Sequence, residues 1–142
     1  MVSLSATLLS VALQVLRIVS NYLVVLFNCS STQSETANKS EMGGLSGAPL
    51  KPRALQVLKT LRAHVPASIP LIGCGGISTG ADALDYARAG ASLVQVYTGF
   101  GYDGVGTCRR IKDELEALLR AENTTWKAVV DESVQKLSWT KP

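Results

Sequence analysis

Apolar and polar positions divide this chain into stretches of different character. Residues 1–27 are almost wholly apolar, with Arg17 the single charge and polar breaks at Ser3, Ser5, Thr7, Ser10, Gln14, Ser20 and Asn21. Three readings fit that stretch. It is a signal or membrane anchor, since its length is near the ~20 residues that span a bilayer, although no basic cluster precedes it. It is a buried helix followed by a strand near 22–27. Or it is sequence foreign to the fold. Residues 28–41 are rich in Ser, Thr, Asn and Glu without an apolar period, which predicts an exposed loop. Such a loop exceeds the usual ~12-residue connection and is therefore functional or mobile.

Beyond residue 41 the pattern becomes regular. Gly43, Gly44 and Gly47 fall close together, and Pro49 and Pro52 lead into a helix with Leu55, Leu58, Leu61 and Val65 at helical spacing. Lys59 and Arg62 lie outside that stripe, and Pro66 and Pro70 close the segment. Next comes a short apolar run, Pro70-Leu71-Ile72-Gly73-Cys74, broken by Gly75-Gly76 and opening a helix over 81–88 with Ala83, Leu84 and Ala87 inward. Gly90 suits the end of that helix. A second strand is predicted over 93–98, then a loose loop through Gly99, Gly101, Gly104 and Gly106. A long amphipathic helix follows over 107–121. Its apolar face is Cys108, Ile111, Leu115, Leu118 and Leu119, opposite Arg109, Arg110, Lys112, Asp113, Glu114 and Glu116. Trp126, Val129, Val130 and Val134 predict a last helix packed back on the body.

Strand, helix, strand, helix in succession predicts an α/β fold with parallel strands whose C-terminal ends share one rim. Two such units, each strand ending in small residues, are what the last two strands of a (β/α)8 barrel look like. The chain has 142 residues, whereas such a barrel needs about 250. The expectation is therefore a C-terminal fragment of a (β/α)8 TIM barrel.

Composition narrows the chemistry. Apolar residues make up 46% and charged ones 18%, which argues against overall disorder. A net charge of +3, with scattered basic residues, gives no nucleic-acid footprint. Cys29, Cys74 and Cys108 form no CxxC pair, and His64 is the single histidine, so no metal site is expected. Reduced thiols suit an intracellular compartment. The triplets beginning at Asn28, Asn38 and Asn123 match the glycosylation pattern, which has meaning only in a secreted protein.

The chemistry the glycine loops allow is anion binding. N–H groups around Gly75, Gly76, Tyr97 and Thr98, near the N-terminus of the helix at 81, would hold a phosphate dianion, and the Thr98 hydroxyl would add a donor. The bland alternative is that these small residues merely close one end of the fold. A dinucleotide fingerprint is absent, because no G-x-G-x-x-G turn leads to an acidic residue at the right distance. No nucleophile–base pair is visible either. His64 stands alone near a helix end, Glu35 and Glu41 read as solvated charges, and Lys39 and Lys51 are the cations near the glycine stretch.

Three motifs in order now carry a resemblance: residues 40–47 (SEMGGLSG), 70–77 (PLIGCGGI) and 88–98 (RAGASLVQVYT). They resemble the C-terminal part of dihydroorotate dehydrogenase. The LVQVYT run and the Arg109-Arg110-Ile111-Lys112 helix are similar to the class 2, quinone-dependent, membrane-associated branch. The likeness covers about residues 39–119. It implies a (β/α)8 barrel holding FMN, which oxidises dihydroorotate to orotate in pyrimidine synthesis and passes electrons to ubiquinone. That branch implies the mitochondrial inner membrane, or a bacterial cytoplasmic membrane. Carried over by position, Gly47, Gly75 and Gly76 line the FMN phosphate, and Tyr97 and Thr98 close the pocket.

The sequence also departs from that family. Its serine base, its flavin-side lysine and most orotate contacts lie upstream of the Gly-Gly-Leu-Ser-Gly stretch and have no counterpart here. A family strand ending Ser/Thr-Asn-Thr-Thr is echoed by Ile18-Val19-Ser20-Asn21, with Tyr22 where Thr is expected, and Asn21 is the one candidate on the substrate side. The division expected is a non-family segment over 1–27 and a barrel part over 28–142. Such a part is expected to be inactive alone and to self-associate through open strand edges. Two alternatives stand beside it: a different phosphate-binding barrel enzyme, and a non-catalytic, membrane-anchored protein.

Overall fold

Leu71–Cys74 (β5) is the strand around which the rest of the molecule is arranged. The computed structural model describes residues 16–19, 22–25, 29–30 and 44–137. Leu16–Val19 (β1) and Tyr22–Val25 (β2) pair antiparallel, with Leu16 opposite Val25 and Val19 opposite Tyr22. β2 then runs parallel to β5, and β5 runs parallel to Leu93–Gln95 (β6), giving a four-stranded sheet in the order β1-β2-β5-β6. Cys29–Ser30 (β3) and Gly44–Leu45 (β4) form a separate antiparallel pair. The fold class is α/β, as the alternation of strand and helix patterns predicts. The rest of residues 1–28, including Asn21, and the predicted polar loop apart from β3 lie outside the described residues. Among the described residues no helix is long and apolar enough to cross a membrane.

A 3₁₀ turn, Ala48–Leu50, leads into Lys51–His64 (α1), which accepts Pro52 in its first turn, where no intrahelical donor is lost. Val65 leaves the helix in an extended conformation because Pro66 follows. Gly80–Arg88 (α2) starts on Thr79, whose hydroxyl accepts from Asp82 N at 3.1 Å, while Asp82 Oδ2 accepts from Thr79 N at 2.9 Å. This reciprocal cap is written in the sequence as Thr-x-x-Asp. Thr98–Asp103 (α3), Thr107–Ala121 (α4) and Trp126–Leu137 (α5) complete the chain.

The core joins Leu58 of α1, Leu71 of β5, Ala83 and Tyr86 of α2, and Ile111 of α4. A second cluster packs Leu84 and Ala87 of α2 against Val129 and Val130 of α5, and Trp126 donates its indole N–H to the Ser92 carbonyl at 3.1 Å.

The structure corrects the sequence reading in several places. The segment expected as a loose loop forms the short helix α3, and β6 stops at Gln95 instead of continuing to Thr98. Cys108, expected on the apolar face of α4, is exposed. Arg62, expected on the wet side of α1, is fully buried. Its guanidinium donates to the carbonyls of Ile69 at 3.0 Å and Pro66 at 2.7 Å, supplying donors where the helix ends. Its stem fills the space beside Gly90, where a Cβ would come within 2.7 Å of Arg62 Cγ.

Candidate cofactor-binding site

Three loops meet at the C-terminal ends of β5 and β6. The loop after β5 turns on Gly75 and Gly76, with φ of 118° and 68°, a region that side chains disfavour. Gly76 packs so closely that a Cβ there would lie 2.9 Å from the Gly47 carbonyl oxygen and 3.0 Å from Lys51 N. Gly47 in turn lies beside Thr98, with 3.5 Å between its Cβ position and Thr98 Cγ2. Gly99 closes the triangle, its Cβ position 2.9 Å from the Ile77 carbonyl oxygen. The structure thus brings Gly47, Gly76 and Thr98 together. Gly75 sits behind them, against Leu50 and Ala54. Tyr97 stands at the edge, 81% exposed.

An open cavity of about 500 Å³ lies against α3. Ser46, Val96, Tyr97, Thr98, Phe100 and Gly101 are among the residues that line it. Among the described residues no carboxylate lines it. The first-turn N–H groups of α3, those of Thr98 and Gly99, have no intrahelical acceptor. Among the described residues the Gly76 N–H also donates to no protein acceptor.

The N-terminus of α2 is different, and here the sequence expectation fails. Ser78 N and Thr79 N both donate to Asp82 Oδ2 at 2.9 Å, and Gly80 N donates to Glu114 Oε2 at 2.7 Å. Two carboxylates therefore occupy the helix end that was to receive the dianion, and they would repel it. The Thr-x-x-Asp pattern made half of this readable. Glu114 reaches Gly80 from α4, a contact that periodicity cannot reveal.

Lys51 is not a free cation for a ligand either. Its ammonium bridges Asp82 Oδ1 at 2.5 Å and Asp85 Oδ2 at 2.8 Å, tying the start of α1 to α2. Burial pushes the Asp82 carboxyl up, but Lys51, the Ser78 N–H and the Thr79 side chain outweigh that and hold it below the usual carboxylate range. The Gly80 N–H, and then Arg110, hold Glu114 low as well. A folded-state value below the unfolded one gives stability that is present above about pH 3.9 and is lost as pH falls through the folded value. Acid unfolding followed by circular dichroism is expected to steepen below about pH 4, and Asp82→Asn to flatten that limb. An unchanged acid limb in Asp82→Asn contradicts the assignment.

Tyr86 and Gly73 escaped the sequence reading. The Tyr86 side chain is fully buried, and its hydroxyl donates to the Gly75 carbonyl at 2.6 Å. Among the described residues no group of three or more His, Cys, Asp or Glu side chains is placed to hold a metal ion.

A sequence profile described as "Dihydroorotate dehydrogenase" matches residues 5–119. The chain belongs to the dihydroorotate dehydrogenase family. The match begins at residue 5, within the segment that the sequence reading set apart from that family. Among relatives, the mitochondrial dihydroorotate dehydrogenase (quinone) of Schizosaccharomyces pombe is 56% identical over 91 residues, which are 64% of this chain and 20% of that protein. The mitochondrial enzyme of Candida glabrata is 45% identical over 116 residues, 81% of this chain and 26% of that protein. The dihydroorotate dehydrogenase (quinone) of Erythrobacter litoralis is 51% identical over 86 residues, 61% of this chain and 25% of that protein. The chain therefore spans about a fifth to a quarter of the length of these relatives. Ligand-free dihydroorotate dehydrogenase from Eimeria tenella superposes with a TM-score of 0.71 at 34% identity, over 78% of this chain and 32% of that one. In the ferulenol complex of the same enzyme the TM-score is 0.68 at 33% identity, over 83% of this chain and 30% of that one.

Proposed function

We propose that this chain is the C-terminal part of the (β/α)8 barrel of a quinone-dependent dihydroorotate dehydrogenase, and that it holds the phosphate of FMN. The observation that carries this reading is the meeting of the Gly47, Gly76 and Thr98 loops beside N–H donors that, among the described residues, have no protein acceptor. The donors suit a dianion, since among the described residues no carboxylate lines the adjoining cavity and the two nearby acids are bound to the end of α2. Gly47, Gly75 and Gly76 shape the cradle, Thr98 adds a hydroxyl, and Tyr97 stands at its mouth. Tyr97 and Phe100 give the cavity aromatic lining.

When bound, FMN supplies the two-electron acceptor for oxidation of dihydroorotate to orotate, with a quinone as final acceptor. The role assigned to these residues is binding and orientation. The relatives' names support a mitochondrial location; the inner membrane, or in the bacterial alternative the cytoplasmic membrane, is part of this proposal. β6 ends the sheet with Leu93 53% exposed, an edge suited to pairing with further barrel strands or a second copy.

Titration of the chain with FMN and with riboflavin, read by flavin fluorescence, tests the phosphate assignment. FMN is expected to bind at least about tenfold more tightly, the effect of roughly one charge-assisted hydrogen bond. Equal affinities overturn it.

A further inference from the structure

Among the described residues, the Tyr86 hydroxyl is the side-chain hydrogen-bond donor that reaches the Gly75–Gly76 turn. We propose that Tyr86 is a positioning residue for the anion cradle: by holding the Gly75 carbonyl inward, it presents the Gly76 N–H outward to a phosphate. The proposal rests on the FMN-phosphate reading above and adds to it the device that sets the cradle's geometry.

The argument starts in β5. Gly73 leaves a gap at the centre of the strand, and the Tyr86 ring fills it. A Cβ at position 73 would lie 2.3 Å from Tyr86 Cδ1. The ring is therefore locked between α2 and the strand, with the whole residue buried. A buried phenol must find an acceptor. It reaches Gly75 O at 2.6 Å and, more weakly, Cys74 O at 3.4 Å. Burial holds its titration above the usual phenol range, so it remains a donor at working pH.

Gly75 O and Gly76 N–H belong to one peptide plane. The described chain has no cis peptide, so the two groups point in opposite directions. Pulling the oxygen toward Tyr86 turns the N–H away from α2. Without that bond, two consecutive glycines leave the peptide free to rotate, because neither carries a side chain that would resist it.

Tyr86→Phe keeps the ring and removes the bond. The readout is the ratio of riboflavin to FMN dissociation constants, which isolates the phosphate. In Tyr86→Phe that ratio is expected to fall about tenfold, the worth of one ordinary hydrogen bond, with riboflavin affinity unchanged. A purely structural role lowers the melting temperature and leaves the ratio alone, and that result overturns the proposal. If the wild-type chain shows no preference for FMN, the phosphate reading fails and takes the proposal with it. If the wild type prefers FMN and the variant does so equally, the proposal alone fails. A second measurement needs no variant: the Gly76 amide resonance of the wild-type chain is expected to shift with FMN and stay in place with riboflavin. An amide that responds to neither overturns the proposal.

Discussion

Gly101→Glu is expected to weaken FMN binding about a hundredfold while leaving the chain at least as stable. Gly101 lines the cavity beside α3, and a Cβ there meets nothing within 4 Å. A side chain therefore enters without a clash, and a helix position gains roughly 0.5–1 kcal/mol when glycine is replaced. A carboxylate introduced there would stand on the wall of the cavity that adjoins the proposed cradle. Two unit charges about 4 Å apart repel by roughly 1 kcal/mol in water and 4 kcal/mol at an intermediate dielectric, so a loss near 2.7 kcal/mol lies between these limits. Gly101→Ala separates the contributions: it is expected to keep FMN affinity and the added stability. Gly101→Lys should tighten FMN binding, and added salt should shrink the difference between the Glu and Lys variants. Riboflavin should distinguish the variants far less, since it lacks the phosphate. If Gly101→Glu retains FMN as the wild type does, α3 does not face the phosphate. Gly76→Val is a poorer probe, because its side chain would meet the Gly47 carbonyl and the Lys51 amide, so lost flavin there would report a broken loop.

The contrast between these two glycines shows what a sequence can and cannot carry. Glycine signals that backbone is approached closely, and that much is visible at 47, 75 and 76 in the one-letter string. It does not say what approaches. At Gly76 the neighbour is another loop, and at Gly73 it is the ring of Tyr86. Amphipathic spacing located α1, α4 and α5 because one face of each is buried against a common body. The same logic misplaced Arg62, whose burial depends on Gly90, in a turn far along the chain, leaving room for its stem. α3 escaped because Gly99 and Gly101 lower helix propensity. It forms where the Thr107 hydroxyl donates to the Gly104 carbonyl at 2.7 Å, and Arg110 reaches back to Asp103 at 2.6 Å. The end of α2 was half readable: its own cap is local, whereas the carboxylate of Glu114 comes from another helix. Local chemistry was legible; the partners that tertiary packing supplies were not.

Gly80→Ala should destabilise the chain by roughly 3 kcal/mol, the upper end for overpacking, and lower its melting midpoint by about 10 °C. Helices α2 and α4 touch backbone to backbone at this point. A Cβ on residue 80 would lie 2.4 Å from Leu115 N and 2.7 Å from the Glu114 carbonyl carbon. These are main-chain atoms in the middle of a helix, so relief requires α4 to move as a body. Moving it breaks the Gly80 N–H bond to Glu114, leaving that N–H without its carboxylate. It also strains the link from Arg110 to Asp103, through which α4 holds the end of α3. The effect should therefore reach the cradle, with FMN affinity falling along with stability although residue 80 binds no ligand. Glu114→Gln isolates the electrostatic part, since it keeps the close packing and removes only the charge. It is expected to cost much less stability than Gly80→Ala. A melting midpoint within about 2 °C of wild type in Gly80→Ala would mean that the two helices stand further apart in solution than this contact requires.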